Sequence, residues 1–223
     1  MPQNGNERKY RRQRERLVEK LRERGITDER VLGAVRRVER HRFIEPALRG
    51  RAYEDEALPI GMKQTISQPF TVAYQTMLLD VHEGDRILEV GTGSGYQAAV
   101  LCEMGARVFT IERHGSLLDR AEELLEEMNY RVVARCGDGT QGWPAVAPFS
   151  GIVVTAGARE TPDALLEQLR VPEDDERGGR LVIPVGGEHG QTMYRFTRTG
   201  PRSYEEEERH GFRFVPLVKR NGE

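Results

Sequence analysis

The residues with the clearest potential to bind a ligand form a glycine-rich turn at 89–95. The run consists of Glu89, Val90, Gly91, Thr92, Gly93, Ser94 and Gly95. Between a strand and a helix, such a turn lets a ligand approach the backbone closely and meet exposed helix N–H groups. The Gly-x-Gly-x-Gly spacing differs from that of dinucleotide sites, and the preceding acid disfavours a pyrophosphate. The run therefore favours a cationic ligand without phosphate, and the alternative is a structural turn braced by buried Glu89.

Two further carboxylates fall at the ends of the next predicted strands. Glu112 lies about twenty residues after the glycines, where a carboxylate can accept hydrogen bonds from both hydroxyls of a ribose. Asp138, between Gly137 and Gly139, is placed to reach an adenine edge. Taken singly, Glu112 also fits a helix cap and Asp138 an ordinary Asp-Gly turn. Together with the glycine turn, on consecutive strand ends, they indicate S-adenosylmethionine, a sulfonium compound with an ammonium group and no phosphate.

The elements that must position these groups alternate regularly after residue 84. Short β-rich runs alternate with helical stretches, which is typical of a parallel sheet covered on both faces. The predicted strands span 86–90, 107–112, 131–136, 152–155 and 181–185, and the predicted helices span 96–104 and 116–129. Ser116 is predicted to cap the second helix, and Thr161 with Pro162 to open a third. Runs 192–198 and 212–218 predict a closing strand pair, separated by a solvated loop at the acidic residues 205–208.

The first 80 residues follow a different pattern. Residues 7–24 are rich in Arg with interleaved Glu and a narrow apolar stripe, which predicts a solvated amphipathic helix. A nucleic-acid-binding arm is the alternative, although the glutamates dilute its field. Residues 27–29 are typical of the start of a second helix. Gly and Pro punctuate residues 43–69, and so long a loop-rich connection favours a role in lining a site.

Composition narrows the class of protein. A chain of 223 residues suits one catalytic unit, and 34 basic against 36 acidic residues leave a formal charge of −2. No global field therefore predicts binding to nucleic acid or to a membrane. No segment approaches the roughly 18 apolar residues of a membrane helix, so we expect a soluble cytoplasmic protein. Cys102 and Cys136 lack zinc-ligand spacing, which predicts reduced thiols and no metal site.

Several motifs resemble those of the protein-L-isoaspartate O-methyltransferase family, and the resemblance covers about residues 16–218. The motifs lie at 53–61, 64–69, 87–96, 137–139, 179–186 and 213–217. The glycine run fits many methyltransferases, whereas Gln-Thr-Ile-Ser-Gln-Pro at 64–69 is highly specific to this family. Two features depart from the family pattern: Ser150 stands where an acid is usual, and residues 172–177 look like an insertion.

This resemblance implies methyl transfer from S-adenosylmethionine to the α-carboxylate of L-isoaspartyl residues, which arise when Asn deamidates or Asp isomerises. The ester then favours return through a succinimide. The implied fold is α/β: a mostly parallel seven-strand S-adenosylmethionine-dependent methyltransferase sheet with helices on both faces and N-terminal helices over the site. We expect one domain, 1–223, in which 1–80 form a helical and substrate-loop part and 81–223 the cofactor-binding sheet. The expected partners are isoaspartyl proteins and peptides, bound by a monomer.

The resemblance also assigns roles to individual residues. Ser67 matches the family's active-site serine. The matching cofactor positions are Gly91, Gly93, Gly95, Glu112, Asp138 and Gly139. Glu89, Thr92 and Ser94 complete the cofactor-binding set that we predict.

The reaction itself limits what the side chains must do. A carboxylic acid with a pKa of about 3.9 is ionised at neutral pH, so the nucleophile needs no general base. The enzyme must mainly align the reacting groups in a dry pocket. Ser67 is predicted to donate a hydrogen bond that orients the carboxylate, with Thr65 as a second substrate-binding hydroxyl. The alternative is that Thr65 or Ser67 caps the helix that begins near Pro69.

Two other functions are compatible with the cofactor end of the sequence. One is a methyltransferase that acts on RNA or a small molecule through a different acceptor pocket. The other is a non-catalytic module that keeps the fold as a scaffold for partners. A carboxyl methyl ester releases methanol in mild alkali, whereas an N-methyl group does not, and cofactor titration tests the scaffold alternative.

Overall fold

The computed structural model describes residues 3–173, 177–187 and 190–217. The α-helices are α1 (Gln3–Glu23), α2 (Glu29–Arg37), α3 (Pro69–Leu79), α4 (Tyr96–Glu103), α5 (Gly115–Glu127) and α6 (Asp163–Glu167). The strands are β1 (Leu58–Gly61), β2 (Gln64–Ile66), β3 (Arg86–Val90), β4 (Arg107–Glu112), β5 (Val132–Cys136), β6 (Gly151–Val154), β7 (Arg180–Gly187), β8 (Gly190–Gly200) and β9 (Ser203–Phe212). Short 3-10 turns lie at Arg40–Phe43, Pro46–Arg51, Gly139–Gln141 and Pro144–Val146. Among the described helices, none is long and apolar enough to cross a bilayer.

Seven strands form one sheet in the order β5-β4-β3-β6-β7-β8-β9. The strands from β5 to β7 are parallel, and β8 and β9 are added antiparallel. The mostly parallel seven-strand sheet predicted from sequence is therefore confirmed. Chain order reverses between β3 and β6, and in such sheets the crevice beyond the carboxyl ends at this switch point is where ligands bind.

Helices cover both faces of this sheet because its central strands are apolar on both sides. In β3, Ile87 packs into one buried cluster with the apolar faces of α1, α2, α3 and α4. Its neighbours Leu88 and Val90 point the other way, into a second cluster that includes Leu165 of α6. The two predicted N-terminal helices are confirmed, and Asp28 caps α2 by accepting a hydrogen bond from the Arg30 N–H at 2.8 Å.

The acidic run 205–208 is not the solvated loop that we expected. It lies inside β9, the edge strand, which pairs with β8 in a register that sets Glu207 opposite Arg195. These two side chains form an ion pair. Charged residues protect an edge strand from pairing with other chains, and four successive glutamates hide the alternation that would have predicted a strand. The predicted strand at 212–218 is also wrong in its bounds, because β9 ends at Phe212; Val218 lies outside the described residues.

Three other local predictions change. The predicted cap at Ser116 is wrong, since α5 begins at Gly115 with His114 as its N-cap residue. Pro162 occupies the N-cap position of α6 rather than its first turn. The 43–69 connection contains the hairpin β1–β2 as well as 3-10 turns. Of the apparent insertion at 172–177, residues 174–176 lie outside the described residues.

Candidate functional site

A cavity opens at the carboxyl ends of β3, β4 and β6, at the switch point of the sheet. The space inside it, with its open mouth included, is about 780 Å³. Among the residues predicted for the site, those that line the cavity are Thr65, Ser67, Glu89, Gly91, Thr92, Gly93, Ser94, Glu112 and Gly139. Gly95 and Asp138 are not part of its lining.

The glycine turn brings backbone to the wall of the cavity. Gly91 has φ +100°, a conformation that side chains rarely adopt. A Cβ at Gly91 would also overlap Oγ1 of Thr155, a hydroxyl that donates a hydrogen bond to the Gly91 carbonyl at 2.6 Å. Gly95, by contrast, lies against Leu125 of α5, which gives a packing reason for a glycine there, and its cofactor role stays a prediction. Glycine is therefore required at the Gly91 position by the backbone conformation and by the contact with Thr155, and close approach of a ligand to this backbone stays a prediction.

Glu89 is fully buried beneath this turn, at the inner wall of the cavity. The Thr110 hydroxyl donates to Glu89 Oε2 at 2.6 Å, and the Thr92 hydroxyl lies 2.5 Å from that of Thr110. Burial, together with the charge of Glu112, raises the pKa of Glu89 to about 8, although the Thr110 hydrogen bond and the Ala98 backbone amide act to lower it. Bracing of the turn accounts for Oε2 alone, because Oε1 has no partner that meets hydrogen-bond geometry among the described residues.

Glu112 joins the glycine turn to the start of α5. Its Oε2 accepts a hydrogen bond from the Gly93 N–H at 2.9 Å, and its Oε1 accepts one from the His114 N–H at 3.0 Å. Because His114 is the N-cap residue of α5, the helix-start role that we left open is partly present. Each carboxylate oxygen can accept a further hydrogen bond, so a ribose role is compatible with this bracing.

Of the two residues predicted for the adenine site, Asp138 caps a turn and Gly139 lines the cavity. Asp138 Oδ1 accepts hydrogen bonds from the Thr140 N–H at 2.9 Å and from the Thr140 hydroxyl at 2.8 Å. The carboxylate therefore caps the 3-10 turn that follows β5, as the turn alternative predicted. Gly139 reaches the cavity, where a Cβ would overlap Val90 at the end of β3.

The hairpin β1–β2 brings Thr65, and Ser67 directly after it, to the lining of the cavity. The capping alternative for these two residues is wrong: Gln68 is the N-cap residue of α3 and makes no side-chain cap bond. Asp55 supplies the cap instead, since its Oδ1 accepts the Phe70 N–H at 2.8 Å. Within the described part of the chain, no group hydrogen-bonds the half-buried Ser67 hydroxyl. That hydroxyl remains available to a ligand.

Arg40 fixes the segment that carries Ser67, and sequence reasoning missed it. Its fully buried guanidinium donates to the carbonyls of Ala52 at 2.7 Å, Glu56 at 3.1 Å and Ser67 at 2.9 Å. Burial lowers the pKa of Arg40. One side chain thus ties three points of the 52–67 connection to the N-terminal helical layer. In a stretch that also contains Arg36, Arg37 and Arg42, no local signal distinguishes it.

Three other parts of the cavity wall were also missed. Thr155 directly follows β6, and the rule that ligands meet strand carboxyl ends could have found it. Residues 215–217 close one side: the Gly157 N–H donates to the Val215 carbonyl and the Leu217 N–H to the Gly157 carbonyl, both at 2.7 Å. The buried amide of Gln97, on α4, completes the inner wall. Among the described residues, no group of three or more His, Cys, Asp or Glu could hold a metal ion.

Comparisons with known proteins agree with this geometry. The family model for protein-L-isoaspartate(D-aspartate) O-methyltransferase matches residues 12–222. The protein-L-isoaspartate O-methyltransferase of Salinibacter ruber is 70% identical over 217 residues, which cover 96% of this chain and 94% of that protein.

Two solved structures resemble the fold closely. A protein-L-isoaspartate O-methyltransferase has a TM-score of 0.80 at 26% identity, over 94% of this chain and 67% of the other. A Plasmodium falciparum protein assigned to the same activity was crystallised with S-adenosyl-L-homocysteine. It has a TM-score of 0.77 at 25% identity, over 91% of this chain and 97% of the other. With its sheet, its cavity and these relatives in agreement, the chain belongs to the protein-L-isoaspartate(D-aspartate) O-methyltransferase family.

Proposed function

We infer that this chain is a protein-L-isoaspartate O-methyltransferase, which transfers a methyl group from S-adenosylmethionine to the α-carboxylate of L-isoaspartyl residues in damaged proteins and so starts their repair through a succinimide. The observation that carries this function is the arrangement of one cavity. A buried acid, Glu89, and a glycine turn line it, and so does Ser67, whose hydroxyl has no hydrogen-bond partner among the described residues. The first two features fit the cofactor, and the third fits the acceptor.

The fit to the cofactor is chemical as well as spatial. S-adenosylmethionine supplies an electrophilic sulfonium methyl when it is bound. Glu89 and Glu112 both line the cavity, and carboxylates favour the ammonium and sulfonium charges of such a ligand while they disfavour a pyrophosphate. Gly91 itself and Thr155, which a Cβ at Gly91 would overlap, both line the same cavity. We propose that Glu112 accepts hydrogen bonds from the ribose hydroxyls and that the Asp138–Gly139 turn borders the adenine.

The acceptor needs alignment rather than activation. An α-carboxylate is ionised at neutral pH, so no residue has to remove a proton before attack. As the carboxylate oxygen bonds to the methyl carbon, the bond from that carbon to sulfur breaks, and both charges disappear. A site that excludes water favours this loss of charge, and alignment can lower a barrier by roughly 7 to 11 kcal/mol at best. We propose that the Ser67 hydroxyl orients the carboxylate, that Thr65 assists, and that Arg40 positions Ser67 through its carbonyl.

Methylation of matched peptides tests this function. Purified protein with methyl-labelled S-adenosylmethionine is expected to esterify an isoaspartyl peptide and to leave the aspartyl peptide of the same sequence unmodified. The label should leave as methanol in mild alkali, because the product is a carboxyl ester. Labelling that survives alkali, or similar rates on both peptides, would contradict the repair function and favour an RNA or small-molecule acceptor. NAD is the control ligand and should bind poorly.

Replacing Glu112 by alanine is expected to weaken binding of S-adenosylhomocysteine by about 1 to 3 kcal/mol, because charge-assisted hydrogen bonds to the ligand are lost. The Gly93 and His114 N–H groups also lose their acceptor, so the melting transition should fall. Calorimetric titration below that transition measures the affinity. Glu122→Ala, on α5 and outside the cavity lining, is the control. Unchanged affinity in folded Glu112→Ala protein would remove Glu112 from the ligand site.

The finer assignments stay predictions. We propose that the protein is a cytoplasmic monomer. We also propose that it does not bind nucleic acid, which the near balance of 34 basic and 36 acidic residues supports. Both cysteines are free thiols in the structure, Cys136 exposed and Cys102 half-buried.

A further inference from the structure

Gln97 is a buried amide in the lining of the ligand cavity. It is the second residue of α4, directly after the glycine turn, and it lines the inner wall beside Glu89. Neither the glycine turn nor the pattern of strand-end acids predicts a role for it. Its hydrogen bonds nevertheless determine which way its amide points.

The orientation of this amide follows from Thr76 on α3. The Thr76 hydroxyl donates its proton to the Val72 carbonyl at 2.8 Å, so Thr76 Oγ1 can only accept a second hydrogen bond. Gln97 Nε2 lies 2.9 Å from that Oγ1 and is the donor. Because the nitrogen side of the amide is held by Thr76, the carbonyl oxygen of Gln97 points elsewhere.

That oxygen is a buried acceptor without a partner. Gln97 Oε1 and Glu89 Oε1 both lack a partner that meets hydrogen-bond geometry among the described residues, although the Ala98 backbone amide also acts on the Glu89 carboxylate. Both side chains line the same cavity. A buried acceptor left unpaired costs free energy, and most such groups in native proteins are satisfied. When Glu89 is ionised, both oxygens are acceptors, and a ligand group with several N–H donors can satisfy the two together. An ammonium group has three and carries the charge that the carboxylate complements.

We propose that Gln97 binds the ammonium group of S-adenosylmethionine through its Oε1, as the neutral partner of Glu89. The inference rests on the proposed function, since it takes the cofactor as given and adds a residue to its amino-acid subsite. Gln97 then sets how the methionine part of the cofactor lies relative to the turn, while the adenosine part is held elsewhere. Thr76 is a positioning residue, because it fixes the amide without touching the ligand.

A pair of ligands isolates the ammonium contact. S-adenosylhomocysteine carries the ammonium, and its desamino analogue keeps the adenosine, the thioether and the carboxylate but lacks that group. In calorimetric titrations, Gln97→Leu is expected to weaken S-adenosylhomocysteine binding roughly 10- to 150-fold, the range for loss of a hydrogen bond to a charged group. The same variant should bind the desamino analogue within about twofold of the unmodified protein, because no ammonium contact exists to be lost.

The control is Gln75→Leu. Gln75 is also a buried glutamine on the same core face with an unpartnered Oε1, but it does not line the cavity. The Gln75→Leu protein should be less stable and should bind S-adenosylhomocysteine and its desamino analogue with unchanged affinity. If Gln97→Leu folds poorly, Gln97→Met provides a variant of closer shape.

Equal loss for both ligands, or no loss for either, would overturn the role of Gln97 and leave it a packing residue. Unmodified protein that binds both ligands equally would also overturn it. Failure of the proposed function looks different, because then the unmodified protein binds neither ligand or does not esterify the isoaspartyl peptide.

Discussion

Glu89→Gln is expected to stabilise the ligand-free protein at pH 8 while it weakens cofactor binding. In the folded protein the pKa of Glu89 is about 8, against an ordinary value of 4.5 for an accessible glutamate. The folded state therefore binds this proton more tightly than the unfolded state does. The contribution of Glu89 to the free energy of unfolding is fully present below pH 4.5. It is lost as the pH rises towards 8, by at most about 1.4 kcal/mol per pH unit. Glutamine stays neutral and removes that loss.

The effect on binding has the opposite sign. In this variant the new amide carbonyl can keep the hydrogen bond from the Thr110 hydroxyl, which turns the NH₂ group towards the cavity. There it presents donors and no charge to the ammonium, so we expect roughly 10- to 100-fold weaker binding of S-adenosylhomocysteine, a loss comparable with that of one or more hydrogen bonds to a charged group. In the unmodified protein, affinity should rise from pH 6 to pH 8 and a proton should be released on binding. Calorimetry in buffers of different ionisation enthalpy measures that proton.

Thermal unfolding across pH 5 to 9 provides the stability half of the test. Glu205→Gln, on the edge strand, removes an exposed glutamate and should leave both the pH profile and the affinity unchanged. A Glu89→Gln variant with the same pH profile as the unmodified protein would show that Glu89 does not retain its proton in the fold. Unchanged affinity would exclude it from the ammonium site.

Much of the cofactor half of the site could be predicted because its signals are local. The strands 86–90 and 107–112 match the observed bounds of β3 and β4, since each is a buried apolar run between clear turns. Once consecutive strands are parallel, their carboxyl ends share one edge, and Glu89 and Glu112 must meet there. The sheet order itself was not needed to bring these two residues together.

The acceptor half depends on contacts between distant residues, which local patterns do not reveal. Asp55, not Ser67 or Thr65, caps α3, although fifteen residues separate it from Phe70. Arg40 reaches the Ser67 carbonyl across 27 residues. A capping serine and an orienting serine look alike in the sequence, and only the acceptor that actually meets the helix N–H groups separates them.

Ser67→Ala is expected to lower turnover on an isoaspartyl peptide about 5- to 150-fold, the effect of losing one well-aimed hydrogen bond to a charged acceptor. The loss should fall on the chemical step, which single-turnover measurements with saturating cofactor would isolate. Cofactor affinity and the melting transition should stay nearly unchanged. The backbone carbonyl that Arg40 binds is retained, and no described group loses a hydrogen bond when the hydroxyl is removed.

The absence of a capping bond makes the two roles of Ser67 separable in this single variant. A capping serine changed to alanine would cost about 1 kcal/mol of stability and leave activity intact below the melting range. Because the Phe70 N–H is already held by Asp55, we expect the reverse pattern: intact stability and reduced rate. Ser116→Ala, an exposed serine in the first turn of α5, is the matched control and should retain full turnover. Retained turnover in Ser67→Ala would contradict the orienting role, and Thr65 would then be the remaining hydroxyl of the motif to test on this side of the cavity.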